Sequence, residues 1–365
     1  MSKIIRGDIL SLLICIFLTF TNLFAQQRNI EDITVENAAV CYLRAFELMH
    51  YPNTGEVIEK IRRVVKNGWQ EDKELEKILN QNEMCFKEFK KGVLLKKCDF
   101  DFGKKYKYLI QKQPPPFLKI RNLSNLLLLK GRYLERKGDF DEAIDLYLSL
   151  LTFALHISQD NSILSHLIAL RIEKNVYAIL KDYLNSQKAT KRNALKILNY
   201  LEDYKKQHFF IAQVLEKEKE FFISSLQMVV DDINTEQKFN IEERKKALEF
   251  GDEILKQGHL LADYYYGLLV KAVKTNNEAD WDAVSREIQS LQKEVESIGI
   301  SWGMVGDIVR KKQKELNKKL AHQIVKVVLF ISFPNIEKVK KEVNSYYLTL
   351  EELKELRSLA GMKAR

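Results

Sequence analysis

The side chains that could do chemistry are few and lie scattered along this 365-residue chain. Six histidines occur, and no two of them have metal-ligand spacing on one helix. His166 and Glu173 are seven residues apart, which puts both on one face of a helix. They could form a buried polar pair that faces a groove. We favour the simpler interpretation, a satisfied hydrogen bond between helices.

Two further patterns could bind an ion or a phosphate. Asp99 and Asp101 flank one apolar residue and could hold a divalent cation, but calcium takes six or more oxygen ligands. Such a pair more often caps a turn or faces water. Gly299, Gly303 and Gly306 precede a predicted helix, but a phosphate site there would need a preceding strand, and none is predicted. We therefore predict no metal site and no cofactor.

The cysteines do not form a recognisable motif. After residue 25 the chain holds Cys41, Cys85 and Cys98, without a CxxC pair that would indicate a zinc ribbon. Cys41 lies in an apolar helical run and is predicted to be a small core residue. Cys85 and Cys98 could pair, but spacing alone leaves them free or bridged.

Most known catalytic motifs are missing from the sequence. It contains no GxxxxGK[ST], HExxH or GxGxxG pattern. Gly299, Ser301 and Gly303 do fit GxSxG, but that motif needs a strand-to-helix turn, and no strand is predicted there. We therefore predict that the protein is not an enzyme. A hydrolase that acts through an unrecognised cluster is a third and weaker alternative.

The elements that must position these residues are helices. Apolar residues recur at spacings of three and four, and proline is scarce. Cys98–Pro116 is the one substantial irregular stretch, because three consecutive prolines cannot lie inside a helix. Residues 231–239 are predicted to be a loop or domain boundary, and Ile324–Phe333 the end of a buried helix rather than a lone strand. The predicted helices are 34–49, 56–65, 72–96, 118–136, 140–157, 163–184, 194–204, 209–230, 242–256, 260–274, 281–298, 305–329 and 350–359, the last opened by a capping box of Thr349 and Glu352.

Residues 131–147 predict two helices folded back on each other through a tight turn. Gly131 allows close approach, Gly138 turns the chain, Ala143 keeps the contact short, and Tyr147 fills the space behind it. Asp139 is predicted to cap the second helix, with Glu142 three residues later.

At this spacing, residues 127–150 resemble a tetratricopeptide repeat. Leu127 stands where the repeat has an aromatic residue, and Leu155 where it has a proline. The resemblance implies stacked helical hairpins with a groove for a peptide. No second copy is found 34 residues away. We therefore predict an all-α fold, an irregular array of antiparallel helical hairpins that is TPR-like or α-solenoid-like.

A broader resemblance covers the chain from about residue 26 to Leu184. Its carrying segments are Asn37–Phe46, the loop at Cys98–Asp101, and Leu126–Leu184. They are similar to a group of exported helical proteins of planctomycete-type bacteria. The resemblance implies export and helical architecture, and no activity carries over from it.

The beginning of the chain predicts export. Lys3 and Arg6 precede an apolar run, and Ala25 stands at a plausible cleavage site, which together are typical of a signal peptide over residues 1–25. The alternative is an uncleaved membrane anchor over residues 9–25. We predict a helical TPR-like domain over 26–232, a C-terminal helical domain over 233–365, and an exported, periplasmic location.

The charge gives a weaker indication of partners. The formal net charge is +9, and lysines often follow a Glu by three or four residues, which is typical of a solvated helical surface. Attraction to an anionic surface such as lipid headgroups is the alternative. Nucleic acid is disfavoured for an exported protein.

These observations together favour binding over chemistry. We predict an exported, non-catalytic helical scaffold that binds a protein or peptide partner, with Arg132, Tyr133 and Arg136 as an exposed grip. Adjacent aromatics at Phe221–Phe222 and Tyr264–Tyr266 predict core packing more than a binding surface. The alternative function is a structural component attached to membrane or cell wall by the anchor and lysine-rich faces. The partner's identity and the oligomeric state stay open.

Overall fold

The fold is all-α, as predicted. A computed structural model describes residues 36–160, 162–207, 211–235, 241–298 and 317–364. Within those ranges no strand forms, and extended pairing is limited to one bridge between Asn37 and Lys97. The helices are α1 Ala38–Leu48, α2 Gly55–Asn67, α3 Lys73–Gln81, α4 Glu83–Val93, α5 Phe117–Lys137, α6 Phe140–Ser158, α7 Ile163–Asn185, α8 Lys191–Gln207, α9 Ile211–Asn234, α10 Ile241–Thr275, α11 Glu278–Ile298, α12 Lys318–Ser332 and α13 Ile336–Ala364.

Two hydrophobic cores organise these helices. The first core is built by α1 to α8 and the end of α13, which contributes Leu353 and Leu356. The second core is built by α9 to α12, by Leu170 of α7 and by the beginning of α13, which contributes Val339 and Val343. The domain division between residues 232 and 233 stays a prediction, and the cores group the helices differently. In particular, α9 packs in the second core, and α13 packs in both.

The predicted helix 72–96 is wrong, because Asn82 interrupts it. The Asn82 amide donates to the carbonyls of Ile78 and His50, at 2.8 and 2.9 Å, and its oxygen accepts from the His50 backbone. A side-chain amide that bonds the backbone in this way competes with helix continuation. The buried Asn82 therefore joins α3 to α4 and fixes the chain that follows α1.

The predicted break between residues 256 and 260 is also wrong, since α10 continues through Gly258. Glycine costs about 1 kcal/mol inside a helix relative to alanine. Here it allows a close approach of α9: a Cβ added at Gly251 would lie 2.7 Å from Cγ1 of Val230, and one at Gly258 would overlap Leu226. Similarly, α9 runs to Asn234, so the loop predicted from residue 231 begins later.

The final helix begins earlier than predicted. Thr349 lies inside α13 and donates its hydroxyl to the Ser345 carbonyl at 2.8 Å, so the predicted capping box is wrong. The buried apolar face of α13 carries the helix through this position. Ile324 to Ser332 lies in α12, which confirms a helix there.

The tight turn predicted at Gly138 is confirmed. Gly138 has φ +90° and ends α5, and the ring of Tyr147 lies directly against Gly131. The Tyr147 hydroxyl donates to Glu135 at 3.0 Å, which adds a bond across the contact. Asp139 makes no side-chain cap bond, so the predicted capping box at α6 is wrong.

The irregular stretch from residue 98 to 116 is a pinned connection. Leu109 donates its backbone N–H to Ser224 of α9 at 2.7 Å, and the Tyr108 hydroxyl donates to Asp231 at 2.6 Å. Lys112 donates to Asp160, just before α7, at 2.6 Å. The segment therefore links the beginning of α7 to α9.

Candidate functional site

A cavity of about 490 Å³ opens between the end of α4, α6 and α8. Residues 152, 155 and 156 share one face of α6, and Gln159 follows on the same side as its C-cap. Residues 200, 203 and 204 share one face of α8. The walls combine apolar and polar side chains. Its lining residues are Val93, Leu94, Leu95, Lys96, Thr152, Leu155, His156, Gln159, Tyr200, Asp203 and Tyr204.

His156 fixes the wall formed by the end of α4. The Tyr42 hydroxyl lies 2.6 Å from Nδ1 of His156, and the Leu95 carbonyl accepts a bond from the imidazole. The Tyr42 hydroxyl thus occupies Nδ1 of the imidazole. Burial lowers the pKa of His156 to about 4, although the Leu95 carbonyl raises it. The imidazole is therefore neutral near pH 7 and positions the backbone.

Gln159 holds the same wall from the end of α6. Its Oε1 accepts from the Cys98 backbone N–H at 3.0 Å, and its Nε2 reaches the Lys96 carbonyl at 3.5 Å. Asn37 completes the support, because its amide group exchanges hydrogen bonds with the Asp99 backbone at 2.8 and 2.9 Å. Residues 94–98 are thus fixed on both sides without belonging to a helix.

Two tyrosines form the wall on α8. The Tyr200 and Thr152 hydroxyls lie 2.7 Å apart, and burial raises the pKa of Tyr200 to about 12. Tyr204 donates to Oε1 of Glu173 at 2.6 Å. Both phenols are protonated at neutral pH and have protein partners, so this wall offers shape and polarity rather than an acid or a base.

His166 and Glu173, predicted from their spacing, are both buried on α7. Glu173 accepts the bond from Tyr204, and the His166 ring faces Tyr346 of α13 with centroids 6.1 Å apart. Neither is among the residues that line the cavity. The pair contributes to packing between helices rather than to the open site.

The predicted grip of Arg132, Tyr133 and Arg136 is wrong for its first member. Arg132 is only 7% exposed, because α2 packs over this part of α5. Its guanidinium donates to the Val65 carbonyl at 3.1 Å and to Glu135 at 2.9 Å. Tyr133 packs against Trp69, with ring centroids 4.9 Å apart. Arg136 remains exposed, so the three side chains do not form one surface.

Asp99 and Asp101 use their carboxylates within the protein. Asp99 accepts from the backbones of Asp101 and Gly103 at 2.9 and 2.7 Å. Asp101 accepts from Tyr106 at 3.0 Å and lies 3.4 Å from the Lys112 ammonium. Across the ranges the structure describes, no three His, Cys, Asp or Glu side chains are grouped to hold a metal.

The other predicted residues lie away from the cavity or outside the described ranges. Cys41, Cys85 and Cys98 are free thiols, and burial raises the pKa of each. Tyr266 packs against Phe333, with ring centroids 5.0 Å apart, which confirms core packing for this ring, whereas Tyr264 is exposed. Gly299, Gly303, Gly306 and the predicted anchor over 9–25 are outside the described residues. In the described ranges, no helix combines the length and hydropathy of a membrane span.

Sequence reasoning missed the cavity itself. Thr152, His156 and Gln159 are polar residues at spacings of four and three in the mostly apolar last turns of α6 and at its C-cap, and this pattern was the available signal. It does not reveal that residues 94–98 and α8 face the same side. Comparison with protein-family models, curated proteins and solved structures gave no match.

Proposed function

We propose that this protein is a non-catalytic helical scaffold that binds a peptide segment of another protein at the cavity. The observation that carries the proposal is a preformed recess whose walls are fixed by bonds from α6. Leu94 stands at this recess with 83% of its surface exposed. Cavities of about 300–1,000 Å³ with apolar walls and a few placed polar groups are typical ligand sites.

The state of the polar lining supports binding rather than catalysis. His156 has a pKa lowered to about 4 and is bonded to Tyr42 through Nδ1, and the hydroxyls of Tyr200 and Tyr204 have partners in the protein. A general base needs an available lone pair near its substrate, with a pKa near the working pH. None of these three side chains meets that need.

The proposal includes a TPR-like, α-solenoid-like arrangement of hairpins around α5 and α6. It is supported by the Gly131–Tyr147 contact and the left-handed Gly138 at the turn. Stacked hairpins of this kind hold peptides by side chains along a groove. In this protein the groove would be completed by the irregular residues 94–98.

The test compares partner capture by the full chain and by two variants of exposed leucines. Leu94→Ser removes the apolar group at the cavity, and Leu118→Ser removes one on α5 that is 61% exposed. We expect native partners from the exported fraction to be lost with Leu94→Ser and retained with Leu118→Ser. Equal capture by both variants would contradict binding at the cavity.

Export is part of the proposal, with attachment to membrane or cell wall as the second candidate. The exposed Lys96, Lys97, Lys104 and Lys105 favour the second candidate, because they add four positive charges in and just before the irregular connection. Fractionation with a salt wash separates the cases. Release by salt indicates electrostatic attachment, extraction only by detergent indicates the anchor over residues 9–25, and a fully soluble exported pool supports the scaffold.

A further inference from the structure

We infer that the cavity receives a large apolar side chain from an acidic segment of the partner, whose carboxylates pair with Lys96 and Lys97. This inference rests on the proposed binding function and names the chemistry of the partner. It follows from the shape of the recess, the charges at it and the rigidity of the chain that carries them.

The apolar part of the recess defines the anchor. Val93, Leu95 and Leu155 line it, and the exposed Leu94 extends the apolar surface outward. A volume of about 490 Å³ exceeds the space that one side chain needs. It therefore accommodates an aromatic or leucine side chain together with its flanking backbone.

The charged groups define what flanks the anchor. Lys96 lines the cavity, and Lys97 follows it; both are exposed, and neither forms an ion pair with another described residue. The preceding lysines differ, because Lys90 pairs with Glu142 at 3.1 Å and Lys91 with Glu88 at 2.5 Å. Two adjacent ammonium groups beside an apolar recess complement carboxylates that flank an apolar side chain.

The lysines are also presented from a rigid backbone. His156 holds the Leu95 carbonyl, Gln159 holds the Cys98 N–H, and Ala38 donates to the Lys97 carbonyl at 2.8 Å. Residues 94–98 are therefore ordered before the partner binds, so binding does not lose the conformational entropy of ordering them. A flat lipid surface would contact the same lysines but would leave the recess beside them empty, whereas a peptide can fill it.

The experiment selects seven-residue peptides with a fixed central Trp, displayed as a library with random flanks, against the immobilised full chain. We expect Asp and Glu to be enriched in the flanks. The double variant Lys96→Glu, Lys97→Glu should bind the selected acidic peptides at least about tenfold more weakly and should select Lys and Arg flanks instead. The matched control, Lys104→Glu with Lys105→Glu, changes the same charge in the same connection away from the cavity and should keep the affinity.

The outcomes separate the inference from the function on which it rests. Peptides that depend on Leu94 but carry neutral or basic flanks overturn the acidic partner and keep the binding site. Peptides that bind the Leu94→Ser variant as well as the wild type overturn both. Loss of binding to phosphatidylserine vesicles in the Lys96→Glu, Lys97→Glu variant, without any selected peptide, overturns a protein partner in favour of a lipid surface. Unchanged thermal unfolding of each variant shows that the comparison concerns binding alone.

Discussion

The two hydrophobic cores reach a defined packing by different means. The first core encloses most of the buried polar side chains of the described residues, including Asn82, Arg132, His156, Glu173 and Asn193. The second core is mostly apolar: its own helices bury Ser225 and Thr349 among the described polar residues, and His166 of α7 contacts its Tyr346. It relies on long helices and on the glycines of α10 that admit α9. The first core therefore combines buried polar bonds with close contacts such as that between Gly131 and Tyr147, whereas the second core depends mainly on close steric fit.

This difference has a physical reason. An irregular connection leaves backbone N–H and C=O groups that the helices cannot satisfy, and buried groups of this kind need partners. His156, Gln159 and Asn37 supply those partners around residues 94–98. A long helix satisfies its own backbone, so its packing is decided by shape. The cavity lies in the first core because polar side chains can hold a wall open there.

The largest expected effect tests whether α13 joins the two cores. Leu356 is fully buried in the first core, although it lies far from the rest of that core in sequence. Leu356→Ala should lower the free energy of unfolding by about 2–5 kcal/mol and loosen α8 in hydrogen exchange. Leu348→Ala, on an exposed position of the same helix, should change it by less than about 0.5 kcal/mol. Equal effects would mean that α13 does not close the first core.

The next prediction concerns pH. Since burial lowers the pKa of His156 to about 4, below the usual 6.5, the unfolded chain binds more protons between these values. The stability contribution is complete above pH 6.5 and is lost as the pH falls to 4, by roughly 3 kcal/mol at most.

His156→Gln keeps a donor and an acceptor but does not titrate, so its unfolding free energy should fall less steeply between pH 6.5 and 4. Urea unfolding at several pH values measures this. In the second core, the pKa of His322 is also lowered, first by partial burial and then by Lys326. Because His322 keeps more contact with water, His322→Gln should flatten the curve less. A larger change in pH dependence for His322→Gln than for His156→Gln would contradict the role of His156 as the more deeply buried imidazole.

Two glycine substitutions test the steric fit of the first and the second core. A Cβ added at Gly92 would lie 2.5 Å from Cε1 of Tyr42, a ring held between Phe89 and Phe153. Gly92→Ala should therefore destabilise the protein by about 1–3 kcal/mol. Gly267 in α10 has open space, so Gly267→Ala should stabilise it by about 0.5–1 kcal/mol through helix propensity. Thermal unfolding measures the stability change of each variant. If Gly92→Ala also stabilised the protein, the Tyr42 ring would have to move aside.

The smallest expected effect is at Asp231 of α9, where the irregular stretch from residue 98 to 116 contacts the second core. Lys107, Tyr108 and Gln227 donate to Asp231 and lower its pKa to about 2. The resulting stability is present above about pH 4 and is lost as the pH falls towards 2. Asp231→Asn should remove less than about 1 kcal/mol at pH 7, since solvent screens the pair. Acid unfolding curves, with Asp232→Asn at the exposed neighbour as control, measure the difference; identical curves would show that the contact adds nothing.

The sequence by itself determined the helical class and much of the element placement. Spacings of three and four predicted α5, α6 and α7 to within a few residues, because burial of one helix face requires that period. The turn at Gly138 followed from the freedom of glycine at positive φ. Three local predictions were wrong: the helix cap at Asp139, the helix end near Gly258 and the capping box at Thr349. The local preference of a few residues contributes less free energy than the packing of a whole helix face.

Only the tertiary structure decided the site. Arg132 has an exposed type of side chain, yet α2 buries it, and no local pattern in α5 encodes that neighbour. Likewise, the recess exists because residues 94–98, α6 and α8 meet, although they lie up to 110 positions apart. Periodicity describes one helix at a time, whereas the helices that become neighbours are decided by the packing of the whole chain. Burial, and with it the set of groups free to bind, follows from that packing.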